Sequence, residues 1–473
     1  MPPEQQPWVP AIEDRTKPVY LAIADAIADD IRTGRLSAGQ RLPPQRSLAE
    51  QLGIDFTTVS RAYGEARHRG LVDARVGQGT YVRATAPVPP PTRAVQPGRP
   101  AAPAALVDMT MNQPPLPDAP ALLERLRRDM AAVVTGLALP DVLHYPDAVD
   151  RQEDRAAGVH WLRHRLPDLS PERVLTAPGT QGALLALLTG LARPGDAVCA
   201  EALSYPGFRA VAAQLGLRVV GVPMDADGLD PDALRAVLAQ HRPKALYCIP
   251  TFHNPTTTTM PLERRRAVAA AAREHGVPII EDDIYGPLPE DAPPPLAAIA
   301  PEITYHIAGL AKCVSPMLRI AYVVAPDGRQ ALRVAAAQRA TALMASPLTA
   351  AVARRWIVDG TAEAVRDAIR AEAMERRALA EAILPAGCAV TRREAFHLWL
   401  RLPEAWTRGE FAVHLHGRGI AAVAADAFAT TPDVPQALRV CLGAPTSRDE
   451  TRRVLEILAD SLDQLPASAG VII

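Results

Sequence analysis

Lys312 lies in the run Gly309-Leu310-Ala311-Lys312-Cys313-Val314, a lysine among apolar neighbours. Such surroundings penalise the ammonium form, so the amine gives up its proton readily and can bond an aldehyde as a Schiff base. Arg319 follows in the same loop, placed to hold a phosphate. The run Ile279-Ile280-Glu281-Asp282-Asp283-Ile284-Tyr285-Gly286 sets an acid, Asp282, at the end of an apolar stretch. There it can sit under a pyridine nitrogen and keep it protonated, which makes the ring an electron sink. Asn254, in Thr251-Phe252-His253-Asn254-Pro255-Thr256, and Tyr285 can both reach a phenolic oxygen. Ala177-Pro178-Gly179-Thr180-Gln181-Gly182 is a small-residue turn opening an apolar helix, so its N–H groups and the helix dipole face an anion. Each run alone also reads as plain structure: a strand-to-helix turn, an Asn-Pro turn, a solvated acidic loop, a snorkelling lysine. Together and in this order they meet the needs of a phosphorylated aldehyde carrying a pyridine ring.

The elements that must position these groups follow from the hydrophobic pattern. Short β-branched runs, Ala197–Ala200, Leu217–Pro223, Ala245–Ile249, Pro278–Glu281 and Ile320–Val324, alternate with helical stretches such as Gly182–Ala192 and Leu262–His275. That alternation predicts an α/β fold with a mainly parallel sheet wrapped by helices. Upstream, residues 84–105 are dominated by proline and alanine and have no hydrophobic period, which predicts a semi-rigid linker. It divides a small domain, residues 12–83, from a large one, residues 106–465.

The small domain reads as helix, short helix, longer helix and hairpin. Tyr20, Ile23, Ala24, Ile27 and Ile31 share one helical face, and Gly34 is a stop signal. A short helix runs to Gly53. Asp55 caps a third helix whose buried stripe is Val59, Ala62, Tyr63 and Ala66, leaving Thr57, Thr58, Ser60 and Arg61 outside, and Gly70 ends it. Leu71–Arg75 and Thr80–Arg83 form strands around the glycine-rich turn Val76-Gly77-Gln78-Gly79. This is a winged helix-turn-helix, which offers a helix to the DNA major groove and a wing to phosphates. A winged helix used for protein contact is the other reading.

The small domain resembles the GntR family through Tyr20, Ile23, Ile27, Gly34, Leu42-Pro43, Arg46, Leu48-Ala49, Thr58-Val59, Ala62, Gly70 and Gly79-Thr80-Tyr81-Val82. The resemblance implies DNA contacts at Arg46, Thr57, Thr58, Arg61 and Gly79. Phe56 stands where the family usually has arginine. The four runs of the large domain resemble the class I/II aminotransferases of fold type I, which implies large and small subdomains and pyridoxal 5′-phosphate (PLP) as cofactor. By that resemblance Lys312 carries the internal aldimine and is the catalytic residue, Asp282 pairs with the pyridinium, and Asn254 and Tyr285 contact the phenolic oxygen. Tyr205 stacks on the ring. Gly179, Thr180, Gln181 and Arg319 bind the phosphate, Tyr145 reaches the neighbouring subunit's phosphate, and Arg439 clamps a substrate or effector carboxylate. The chain departs from the pattern at Gly309 and Ala311, where serines are common, and at Thr257, where a glycine follows the Asn-Pro-Thr. The Tyr-to-Gly pattern near Tyr145 is also broken. These changes weigh against an efficient enzyme more than against cofactor binding.

The fusion resembles the MocR group of regulators. It implies a cytoplasmic, head-to-tail homodimer that binds double-stranded operator DNA and senses PLP or an amino compound. The second reading is a working aminotransferase, transferring an amino group to a 2-oxo acid, with an accessory DNA-binding head. Net charge is −1 over 473 residues, so DNA contact must come from a local patch. From Arg41 to Arg83 there are seven arginines against Glu50, Asp55, Glu65 and Asp73, a modest excess that favours two heads on two half-sites. The five cysteines lack metal or disulfide spacing and read as buried hydrophobes. No secretory signal or membrane-length apolar run is present, and no metal is expected.

Overall fold

The structure, a computed structural model, describes residues 8–10, 19–32, 35–37, 39–68, 71–75, 79–82, 106–145 and 151–466. The linker expected at residues 84–105, the stop glycines Gly34 and Gly70 and the turn at Val76-Gly77-Gln78 lie outside the described residues. The chain divides into two compact units, Met1–Pro100 and Ala101–Ile473.

The first unit holds helices α1 (Val19–Arg32), α2 (Gln45–Leu52) and α3 (Phe56–His68) and strands β1 (Val72–Arg75) and β2 (Gly79–Val82). Its core forms where the helical periods place it. Ile23 and Ile27 of α1 pack with Val59, Ala62, Tyr63 and Ala66 of α3. Gly53 ends α2 in the left-handed conformation at φ 64° and returns its N–H to the helix carbonyls. Asp55 Oδ1 accepts from Thr57 N at 2.8 Å, which fixes the start of α3. Buried Tyr63 Oη donates to the Pro43 carbonyl at 2.9 Å and ties α3 to the chain entering α2. The antiparallel pairing runs from Val72↔Val82 to Arg75↔Gly79, as the wing requires.

The second unit is built on a seven-stranded sheet. Its strands are β3 (Val174–Ala177), β4 (Ala197–Glu201), β5 (Arg218–Val222), β6 (Leu246–Cys248), β7 (Ile279–Asp282), β8 (Thr304–Gly309) and β9 (Ala321–Val324). Their order is β3-β9-β8-β7-β6-β4-β5, and only β9 runs against its neighbours. Helices cover both faces, which is why the inner strands read as continuous apolar runs. The exception is β8. His306 interrupts its apolar pattern and is buried against Glu281 at 2.9 Å, so periodicity alone did not mark this strand. A second, antiparallel sheet holds β10 (Ala389–Val390), β11 (His397–Arg401), β12 (Val423–Ala424) and β13 (Ala437–Cys441) in the order β10-β11-β13-β12. Glu201, Asp282 and Gly309 each stand at the last position of a parallel strand, the end where such sheets gather ligand groups.

Candidate functional site

Asp282 ends β7 almost fully buried, at 2% exposure. Its Oδ2 accepts from Tyr247 Oη at 2.8 Å, while Oδ1 has no hydrogen-bond partner among the described residues. Burial pushes its carboxyl up to about 6, against the Tyr247 bond, which holds it down. Tyr247 is itself fixed by a parallel stack on Phe208, with centroids 4.1 Å apart. Lys312 is half-buried in the loop after β8, and its Nζ donates to the Asn112 carbonyl. Burial lowers its amine to about 8; Arg439 and Arg319 push the same way, and Cys441 and Asp282 oppose.

Tyr285 is buried, and its hydroxyl accepts from Asn112 Nδ2 at 2.8 Å. Burial raises its pKa and keeps it a neutral donor. Asn254 Oδ1 accepts from Arg439 Nη1 at 2.9 Å, so the Asn-Pro loop and β13 meet there. Tyr205 feels the charges of Asp282, Arg319 and Arg439. Gly207 makes room for it: a Cβ there would stand 2.4 Å from the Tyr205 ring and 2.6 Å from Gln181 Nε2.

The anion turn opens helix α4 (Gly179–Leu191). Gly179 has φ 74°, where a side chain is disfavoured, and a Cβ there would lie 3.1 Å from Arg319 Nη2. The Arg319 guanidinium lies against this turn. Thr180 Oγ1 and Gln181 Oε1 are buried without hydrogen-bond partners among them. A Cβ at Gly309 would come within 2.5 Å of Thr180 Oγ1. The glycine that replaces a common serine thus leaves space that the threonine hydroxyl fills from across the pocket. Unpaired donors and acceptors at Thr180, Gln181 and Asp282, with an arginine beside the turn, fit a phosphate joined to a pyridine ring.

Arg439 stands in β13 opposite Trp399 of β11. It is buried, its Nη2 donates to the Thr110 carbonyl, its Nε has no partner, and Phe428 lies under it at 5.1 Å. Burial lowers its pKa. No acid pairs with it among the described residues, so one buried cation faces the pocket without a counter-ion. The sequence reading missed several groups here. His397 Nδ1 lies 3.2 Å from Asn112 Nδ2 and its Nε2 3.2 Å from the His253 carbonyl. Burial first, then Arg439, depresses its pKa to about 3. Burial also depresses His253 to about 4 and pushes Glu201, 4.0 Å away, up to about 8. His253 adjoins Asn254 in sequence, the one local signal available. Asn112, Tyr247 and His397 had none.

Tyr145 does not join these residues within its own chain. It is 79% exposed and edges a separate open cavity of about 990 Å³ lined by Val133, Leu137, Leu143, Leu348 and Val358, among others. In the first unit Arg46 is exposed, with its guanidinium 5.9 Å from the exposed Phe56 ring. Arg61 stacks on Tyr20 at 4.3 Å. The Thr57 hydroxyl is engaged by Asp55, Thr58 is half-buried, and Gly79 packs on Arg41, whose Nε would stand 2.7 Å from an added Cβ. Arg41 was not anticipated. Four cysteines are buried and Cys388 is half-buried. Among the described residues there is no metal-binding cluster, and no helix is long and apolar enough to cross a membrane.

Comparison with known proteins gives a consistent picture. Residues 104–458 match the family described as aminotransferase class I and II, and residues 19–82 match bacterial regulatory proteins, gntR family. The uncharacterized HTH-type transcriptional regulator YdeF of Bacillus subtilis (strain 168) is 31% identical over 467 residues, covering 97% of each chain. The HTH-type transcriptional regulator TauR of Rhodobacter capsulatus is 29% identical over 436 residues, 83% of this chain and 86% of that one. Among solved structures, the α-aminoadipate aminotransferase LysN of Thermus thermophilus, complexed with N-(5′-phosphopyridoxyl)-L-leucine, matches with a TM-score of 0.67 at 25% identity. That match covers 76% of this chain and 92% of LysN.

Proposed function

The chain belongs to the MocR-type regulators of the GntR family, DNA-binding transcription regulators whose body is a PLP-binding class I and II aminotransferase fold, and from that premise we propose that the body senses a carboxylate-bearing amine. The observation that carries this reading is Arg439, a buried guanidinium with no acidic partner among the described residues, beside Asn254 and close enough to Lys312 to act on its charge. A guanidinium so placed recognises a carboxylate bidentately.

PLP, when bound, supplies an aldehyde for an amine and a pyridine ring that withdraws electrons. The residues divide the remaining work. Lys312, lowered to about 8, would offer the aldehyde a far larger uncharged fraction at neutral pH than an ordinary lysine, though most of it stays protonated there. Asp282 would hold a proton at the pyridine nitrogen through its unpartnered Oδ1, while Tyr247 orients Oδ2. Asn254 and Tyr285 would address the phenolic oxygen, and Tyr205 would cover the ring. Gly179, Thr180, Gln181 and Arg319 would take the phosphate. Arg439 takes the effector carboxylate, and its exchange of protein carbonyls for that carboxylate is the differential contact a sensor needs.

We further read the molecule as a cytoplasmic head-to-tail homodimer on operator DNA. Leu143, Tyr145 and Val358 are each at least 67% exposed and line one open cavity, the kind of exposed apolar grouping that marks an interaction surface. A second copy would cover it and bring Tyr145 to the partner's phosphate turn. Arg46, Thr57, Thr58, Arg61 and the Gly79 wing are the DNA contacts of this reading. Slow transamination is compatible with the residues present, but sensing needs only binding. The test is Arg439→Met. It should keep the visible absorption band of the PLP-loaded protein and lose, by roughly a hundredfold in affinity, the spectral response to amino acids. Unchanged affinity for every carboxylate-bearing amine tried would remove Arg439 from the site.

A further inference from the structure

The first described stretch of the second unit runs past Lys312 and Arg439. Val107 N and Met109 N donate to the Gly419 and Ala421 carbonyls at 2.9 Å each, in a short parallel pairing with Ile420–Ala421. Asp108 turns the chain by accepting from Thr110 N at 2.9 Å. The next residues give their carbonyls to the pocket. Thr110 O accepts from Arg439, Asn112 O from Lys312, and Gln113 O from Cys441 Sγ at 3.4 Å. The Asn112 side chain holds the same spot: Nδ2 donates to Tyr285 Oη at 2.8 Å and lies 3.2 Å from His397 Nδ1. The two groups assigned above to cofactor and effector are thus both engaged by backbone carbonyls of one run.

We propose that Asn112 is the positioning residue for Lys312, and that residues 110–113 form the coupling element through which occupancy of the site reaches the linker. This deepens the sensor reading and rests on its assignment of Lys312 and Arg439. A ligand that takes Lys312 Nζ and the Arg439 guanidinium leaves the Asn112 and Thr110 carbonyls without donors. Both bonds are part-buried, and a shielded carbonyl without a donor is unfavourable, so the run is drawn toward water or new donors. That shift begins beside the paired stretch Val107–Met109, with Val107 and Met109 buried, which lies between it and the Pro/Ala-rich segment, so the path along the chain is short and runs through that pairing. Each ligand group would contribute: the cofactor frees Asn112 O, and a carboxylate frees Thr110 O.

The experiment is amide hydrogen exchange on the full chain, prepared without cofactor and then with PLP, the visible band being read on the same sample. The peptide spanning 106–117 is expected to exchange about fivefold faster with PLP, the effect of one lost hydrogen bond, while the 177–191 peptide slows. Simple filling of a pocket slows both. Asn112→Ala, read in the cofactor-free protein, should also speed the 106–117 peptide about fivefold, because the Tyr285 bond is gone. A band with unchanged or slower exchange at 106–117 overturns the coupling and leaves the cofactor site standing. So does an Asn112→Ala chain that exchanges like the parent. No band at all overturns the site assignment and this inference together.

Discussion

The amine of Lys312 should titrate near 8, and this can be read directly from its reaction with PLP. Burial is the main cause, with Arg439 and Arg319 adding to it and Cys441 and Asp282 opposing. At pH 7 an amine with that pKa is uncharged in about one molecule in ten, against about one in three thousand for a lysine at its ordinary value. Lys312 should therefore react roughly three hundredfold faster at pH 7 than an unperturbed lysine of equal access. Cofactor-free protein is mixed with PLP from pH 6 to 10, and the visible band is followed or trapped with borohydride. The rate should climb about tenfold per pH unit, bend near pH 8 and then level. Lys312→Ala should give no band. A rate still climbing beyond pH 9.5 would show an ordinary lysine and refute the argument from burial. A flat profile from pH 6 would refute it from the other side.

Gly309→Ser restores the residue common in related sites, yet it should weaken PLP binding, because its Cβ would press within 2.5 Å of Thr180 Oγ1. The expected loss is about 1–3 kcal/mol, as titration of the visible band will report, and unchanged binding would mean that the Thr180 hydroxyl yields freely. His397, held neutral at about 3, keeps its full contribution above about pH 6.5 and loses it as pH falls, since the unfolded chain takes the proton first. His397→Gln should reduce the acid loss of stability between pH 7 and 5 by about 2 kcal/mol, measured by urea unfolding at each pH; equal losses in both chains would contradict it. In the head, Arg46→Ala should lower the slope of log affinity against log salt by about 1 on any duplex, and an unchanged slope would mean that Arg46 touches no phosphate.

The head shows how far local pattern reaches. Helical period placed Ile23, Ile27, Val59, Ala62, Tyr63 and Ala66 in the core, and they are buried. Gly53 and the Asp55 cap set helix boundaries because those signals act within a few residues. The base-reading face is a different matter. Phe56 was a departure from the resemblance, and only the fold shows it exposed beside Arg46, while Asp55 engages the Thr57 hydroxyl that was assigned to DNA. Thr257 is another departure with a structural answer. It holds φ 63° where a glycine would be unstrained, supported by its N–H to the His253 carbonyl.

In the body, composition and spacing alone determined the alternating α/β pattern and the four runs that supply Lys312, Asp282, Asn254 and the anion turn, because each is encoded by near neighbours along the chain. What those groups meet was decided by tertiary structure. Arg439 reaches Asn254 and Thr110 across 185 and 329 residues, and Lys312 reaches Asn112 across 200. Tyr247 lies under Asp282 because β6 and β7 are adjacent, and His397 enters through the second sheet. The physical reason is that a side chain's periodicity fixes which face it occupies, whereas its partner depends on strand order and on how the sheets pack. Neither has a local signature.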